Sequence, residues 1–130
     1  MMKPEYVTQV QVIEQELNML NNQFQLIENN LHELQSLHES LHELEKNKSK
    51  ELLVNIGKRI FLPVSIMENH FIVDVGKNNL VKKNISETMD IVHEQIEKLT
   101  HGKNQVMERI EELDREMESL VQIIEEETEE

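Results

Sequence analysis

From Tyr6 onward the apolar residues of this chain recur on alternating steps of four and three: Tyr6, Val10, Ile13, Leu17, Leu20, Phe24, Ile27, Leu31, Leu34, then His38 and Leu41. That spacing is the heptad of a coiled coil, and a helix carrying it cannot bury its own stripe. A second register runs Ile85, Met89, Val92, Ile96, Leu99, Lys103, Val106, Ile110, Leu113, Met117, Leu120, Ile124, interrupted only by Lys103 beside Gly102. Two such helices in one chain are expected to cover each other. Pro4 suits a first helical turn, and neither Gly nor Pro recurs before Gly57, so helix 1 is expected over about 4–46. Asn84 and Glu87 have the spacing of a capping box, with Asn in place of the usual Ser or Thr, and helix 2 is expected from there over about 85–125. At ~1.5 Å per residue each helix would be roughly 60 Å long.

Between the two registers the chain changes character. Leu52–Ile56, Ile60–Ile66, Phe71–Val75 and Leu80-Val81 are short runs rich in β-branched residues, separated by Gly57-Lys58, Glu68-Asn69 and Gly76-Lys77-Asn78-Asn79. They predict four strands in two hairpins over about 51–83. Pro63 cannot donate to a ladder and is expected at an edge or a bulge, while Ile60, Leu62, Val64 and Ile66 alternate toward one face. The fold class that follows is mainly α with a small β region, a long antiparallel coiled coil joined by two β-hairpins. Residues 1–130 are expected to form one domain.

Charge follows the same division. Residues 1–50 hold four basic and eight acidic side chains, 51–84 hold five and three, and 85–130 hold four and fifteen, so only the β segment is not acidic. A net charge of −13 repels phosphate backbones, and no Lys/Arg cluster with interleaved aromatics offsets it, which argues against nucleic-acid binding. The absence of Cys excludes a disulfide scaffold and fits a reducing compartment, so a cytoplasmic location is expected. No stretch approaches the roughly 18 apolar residues of a membrane span, and Met1-Met2-Lys3-Pro4-Glu5 resembles no secretory leader. No Gly-rich phosphate loop occurs, so an ATPase is unsupported, and no cofactor is expected.

His38-Glu39-Ser40-Leu41-His42 matches H-E-x-x-H, which on a helix places two imidazoles one turn apart, as zinc proteases require. The pattern sits in a local near-repeat, His32-Glu33-Leu34, His38-Glu39, His42-Glu43-Leu44, in a chain of 6 His and 26 acids, and a protease would also need a third ligand and a substrate cleft. It reads as solvated helix surface with His38 tolerated in the seam. No catalytic residue and no metal site is assigned. Lys103 reads as a seam residue whose stem covers apolar surface while its ammonium reaches water.

The run Glu51-Leu52-Leu53-Val54-Asn55-Ile56-Gly57, the strand Ile60 to Val64, then Phe71-Ile72-Val73-Asp74-Val75-Gly76 and Leu80-Val81-Lys82-Lys83-Asn84 between two heptad helices resemble the alpha-class prefoldin subunits. Lys58-Arg59 and Lys82-Lys83 depart from the family's pattern without touching its architecture. The resemblance implies an ATP-independent chaperone, a hexamer of two alpha-type and four beta-type subunits. Its hairpins join into β barrels, and its coiled-coil tips hold non-native proteins for delivery to a group II chaperonin. A filament-forming relative of the same topology and a purely structural coiled-coil adaptor remain open beside that reading.

On this basis Ile60, Leu62, Val64, Ile66, Phe71, Val73 and Val75 are the expected assembly surface. Val7, Val10, Val12, Leu120, Val121, Ile123 and Ile124 are the expected client surface, because antiparallel helices bring the two chain ends together. Val7, Val12, Val121 and Ile123 lie off the seam, where apolar side chains attract the groups that misfolded chains expose. Met1-Met2 would add adaptable side chains there. The acidic run 125–130 opposes the helix dipole and is expected to fray as a solvated tail, with docking on a basic chaperonin patch as the alternative.

Overall fold

The computed structural model describes residues 3–47 and 49–128. Along the chain run α1 (Pro4–Lys46), β1 (Glu51–Gly57), β2 (Ile60–Ser65), β3 (His70–Asp74), β4 (Leu80–Asn84) and α2 (Ile85–Thr128). These elements form two compact units, one from Met1–His32 with Glu97–Glu130, the other from Glu33–Ile96.

In the first unit the heptad seam does what its spacing dictates. All its seam positions are buried or half-buried, and Leu20, Leu31, Leu113 and Leu120 form the core, with Leu113 only 1% exposed. Full burial of one such leucine stabilises by about 1.5–3 kcal/mol. Cross-helix contacts set the direction. Tyr6 Oη donates to Glu127 Oε1 at 2.7 Å, Arg109 grips Glu16 through Nε at 2.9 Å and Nη2 at 3.3 Å, and Lys103 pairs with Glu28. Residue numbers rise on α1 as they fall on α2, so the helices are antiparallel. The Lys103 ammonium turns to Glu28 and lies 5.8 Å from the centre of the Phe24 ring, where the sequence suggested open water.

The end of α2 corrects the sequence reading. The acids at 125–127 were expected to fray, yet the helix continues to Thr128. Glu127 is held by Tyr6 and by Lys3 at 3.4 Å, and the Thr128 hydroxyl donates to the carbonyls of Ile124 and Glu125 at 2.7 and 3.1 Å. These bonds offset the unfavourable dipole in the last turn. Glu129, Glu130, Met1 and Met2 lie outside the described residues.

In the second unit Leu41 and Val92 are buried, and the two hairpins are separate two-stranded antiparallel sheets. In the first, Leu52 pairs with Val64, Val54 with Leu62 and Leu53 with Pro63, and a bulge between Asn55 and Gly57 closes the ladder. In the second, Phe71 pairs with Lys83 and Val73 with Val81. Both turns use one device. The backbone N–H of Gly57 donates to Asn55 Oδ1, and that of Gly76 to Asp74 Oδ1, each at 2.9 Å. The next two residues, Lys58-Arg59 and Lys77-Asn78, all have positive φ, as the tight turns that match strand twist require. The strand β4 runs straight into α2 through Asn84, whose Oδ1 accepts from the Glu87 N–H at 2.8 Å while Glu87 Oε1 accepts from the Asn84 N–H at 3.2 Å. Asn therefore serves as the capping residue, and Thr88 adds a 2.8 Å bond to the Asn84 carbonyl.

Candidate functional site

Two surfaces stand out, one in each unit. In the first unit an open groove of about 770 Å³ runs between the helices, lined by Thr8, Gln9, Val12 and Ile13 from α1 and by Glu112, Arg115, Glu116, Ser119, Leu120 and Ile123 from α2. Its floor is apolar and its walls are polar. Of the seven residues expected at the client surface, Val12, Leu120 and Ile123 line this groove. The seam residues Val10 and Ile124 are half-buried between the helices, and Val7, expected to be exposed, is half-buried as well. Val121 is 41% exposed but lies outside the groove lining. Ile13 and the polar walls escaped the sequence reading.

Those walls follow from the seven-residue repeat. Arg109, Glu116 and Ile123 share one face of α2, as Gln9 and Glu16 share one face of α1. One heptad carries the Glu16–Arg109 clamp; at the next the corresponding residues are Gln9 and Glu116, both lining the groove. A charged crossing thus gives way to one with no cation opposite the acid. Arg109 also donates to Glu112 at 3.0 Å, and its hydrogen bonds to Glu16 and Glu112 hold the guanidinium above its ordinary pKa. Farther along, the Tyr6 hydroxyl, reinforced by Lys3, draws the Glu127 carboxyl below the usual carboxylate range.

The second surface is the pair of hairpins. Ile60, Leu62 and Val75 are exposed by 60%, 49% and 53%, while Val64, Ile66, Phe71 and Val73 are half-buried. Ile66 and Val75 lie just beyond β2 and β3, so they flank the strands. The opposite phase of the strands is also apolar and exposed, with Leu53, Phe61, Ile72 and Leu80 at 50% or more. The alternation argument picked one phase and missed this one. Runs in which both phases are apolar were the available signal.

The histidine pattern resolves into unlike halves. His38, half-buried in the seam, lines a small groove with Gln35, Glu39, His93 and Ile96, whereas His42 is exposed and outside it. Among the described residues no group of three or more His, Cys, Asp or Glu is placed to hold a metal ion, and no helix is long and apolar enough to cross a membrane.

Comparison with known proteins places this geometry. The family model for prefoldin subunits matches residues 13–130. A filamentous prefoldin from Methanocaldococcus jannaschii, determined by cryo-EM, has the same fold, with a TM-score of 0.73 at 18% identity over 86% of this chain and 94% of that one. No curated protein matches the sequence significantly.

Proposed function

The chain belongs to the prefoldin family, and from that premise we propose that it is an alpha-class subunit of an ATP-independent chaperone, acting as one domain over residues 1–130. Its two hairpins, where the beta class carries one, support the class. Ile60, Leu62, Val64, Ile66, Phe71, Val73 and Val75 join neighbouring subunits, in a hexamer of two alpha-type and four beta-type chains. Non-native polypeptide is held in the half of the coiled coil that carries Val12, Leu120 and Ile123, with Val7, Val10, Val121 and Ile124 beside them, and is then passed to a group II chaperonin. The protein acts in the cytoplasm without cofactor, nucleic acid or membrane, and is not an enzyme.

The observation that carries this reading is the apolar-floored groove. Val12 and Ile123 stand 56% and 44% exposed beside the seam and line one groove together, whereas the exposed Met19, Leu26 and Met107 lie outside it. Exposed apolar surface in a groove is what a holdase needs, because it competes for the side chains through which misfolded chains aggregate. Several arms acting on one client would raise the avidity of weak individual contacts.

A filament of like subunits is the second reading. Hairpins that expose apolar residues on both phases and leave strand edges unpaired can join copies of the same chain as readily as different chains. The mass of the complex purified with its native partners distinguishes a closed hexamer from an open polymer. Suppression of client aggregation, followed by light scattering, distinguishes chaperone from adaptor. Suppression by wild type that is lost when Val12 and Ile123 become Ser supports the holdase; scattering indifferent to the protein leaves the adaptor.

A further inference from the structure

The groove walls say something about which polypeptides would enter. The unit that bears the groove holds five basic and sixteen acidic side chains, a net −11, against −2 for the other unit. Most of its cations are already committed. Lys3 pairs with Glu127, Lys103 with Glu28, and Arg109 with Glu16 and Glu112, which leaves Lys98 and the groove-lining Arg115 without an ion pair among the described residues. On the groove wall itself Glu116 adds to the field that raises the Arg109 pKa, but it has neither hydrogen bond nor ion pair among the described residues. The residue at the matching position on α1 is the neutral Gln9.

We propose, resting on the capture reading above, that this groove selects polypeptide segments in which apolar side chains are flanked by Lys or Arg. The apolar floor of Val12, Ile13, Leu120 and Ile123 takes the side chains, and Glu116, in a unit whose acidic excess outweighs the single groove-lining cation Arg115, takes the flanking cations. An acidic segment of equal hydropathy meets the same floor but approaches against the field. Charge of this kind acts mainly on encounter and register, so the preference should show in association rate and fade with salt. Nascent or unfolded chains with basic apolar stretches would then be captured ahead of acidic ones.

The test uses the full chain in its assembled form and two fluorescent peptides that share one Leu/Val/Phe core, flanked by Lys in one and Glu in the other. Stopped-flow association at low salt should favour the Lys-flanked peptide by about tenfold, the lower end of electrostatic steering. At ~1 M salt, where the Debye length shrinks to ~3 Å, the two rates should converge. Glu116→Gln should cut the low-salt ratio by about half without loss of helix content, while Glu43→Gln, an exposed acid in the other unit, should leave it unchanged. If both peptides bind at the same rate, selection is wrong while capture stands. If neither binds, the capture reading fails and takes the inference with it. Equal responses to Glu116→Gln and Glu43→Gln would overturn the assignment to the groove.

Discussion

The helices and the hairpins treat their apolar residues in opposite ways. Along the seam each apolar residue is buried or half-buried by its partner helix, whereas in the hairpins Leu53, Ile56, Ile60, Ile72 and Leu80 are each exposed by 60% or more. The seam is covered inside the chain, although off-seam residues such as Val12, Met19, Leu26 and Ile123 stay exposed on the helices. The hairpins hold a set of side chains and strand edges whose burial needs other chains, since a two-stranded sheet is marginal alone. On the proposed reading, fold stability and assembly rest on different residues, and substitutions should separate them.

The largest effect is expected in the seam. Leu113→Ala removes the most deeply buried side chain and should cost about 3 kcal/mol, lowering the midpoint of thermal unfolding followed by circular dichroism. A shift no larger than that of a surface substitution would break the contrast from the helical side. Next come the hairpins. Val64→Lys with Val73→Lys should dissociate the assembly while helix content stays near wild type, and sedimentation velocity reads the difference; an unchanged profile would remove these residues from the assembly surface.

Smaller effects sharpen the comparison within the coiled coil. Val12→Ser and Ile123→Ser alter side chains about half in water, so each should change stability by no more than about 1 kcal/mol, well below the cost at Leu113. The smallest concerns pH. The Glu127 pKa is lowered in the folded chain, chiefly by the Tyr6 hydroxyl and then by Lys3 against an opposing effect of burial. Its contribution is therefore present above the ordinary carboxylate range and is lost as pH falls through the lowered folded value. Tyr6 is the only tyrosine and the chain has no Trp, so tyrosine fluorescence reports this contact directly. An acid transition is expected in wild type and should be absent in Glu127→Gln; the same transition in both would assign it elsewhere.

The architecture was legible because two of its determinants are local. Heptad spacing identifies a coiled coil without knowledge of the partner, and the Asn84/Glu87 spacing already contained the cap that joins β4 to α2. The parallel turns were equally present, as Val54-Asn55-Ile56-Gly57-Lys58 and Val73-Asp74-Val75-Gly76-Lys77, but the repeat becomes plain only once both Asx contacts and both pairs of positive φ angles are seen. The candidate site was legible in part. Off-seam apolar residues pointed to Val12 and Ile123, yet a periodicity argument concerns one helix at a time and cannot say which flanks of two helices meet. That is why Val7 was expected in solvent and is half-buried, and why Glu116 went unnoticed until Glu16 and Arg109 fixed the register of the pair. The helix end at Thr128 was missed for a related reason, since its support comes from Tyr6 and Lys3 on the other helix.

The separation of stability, assembly and capture is tested most directly in one experiment on the assembled complex. A denatured model client is diluted into wild type or into the Val12→Ser/Ile123→Ser variant, light scattering is recorded, and circular dichroism and complex mass are taken on the same samples. The account predicts that the variant keeps its helix content and its mass but loses most of its suppression of scattering. Full suppression by a variant that is folded and assembled would contradict it, and would place client capture outside the groove of Val12, Ile13, Leu120 and Ile123.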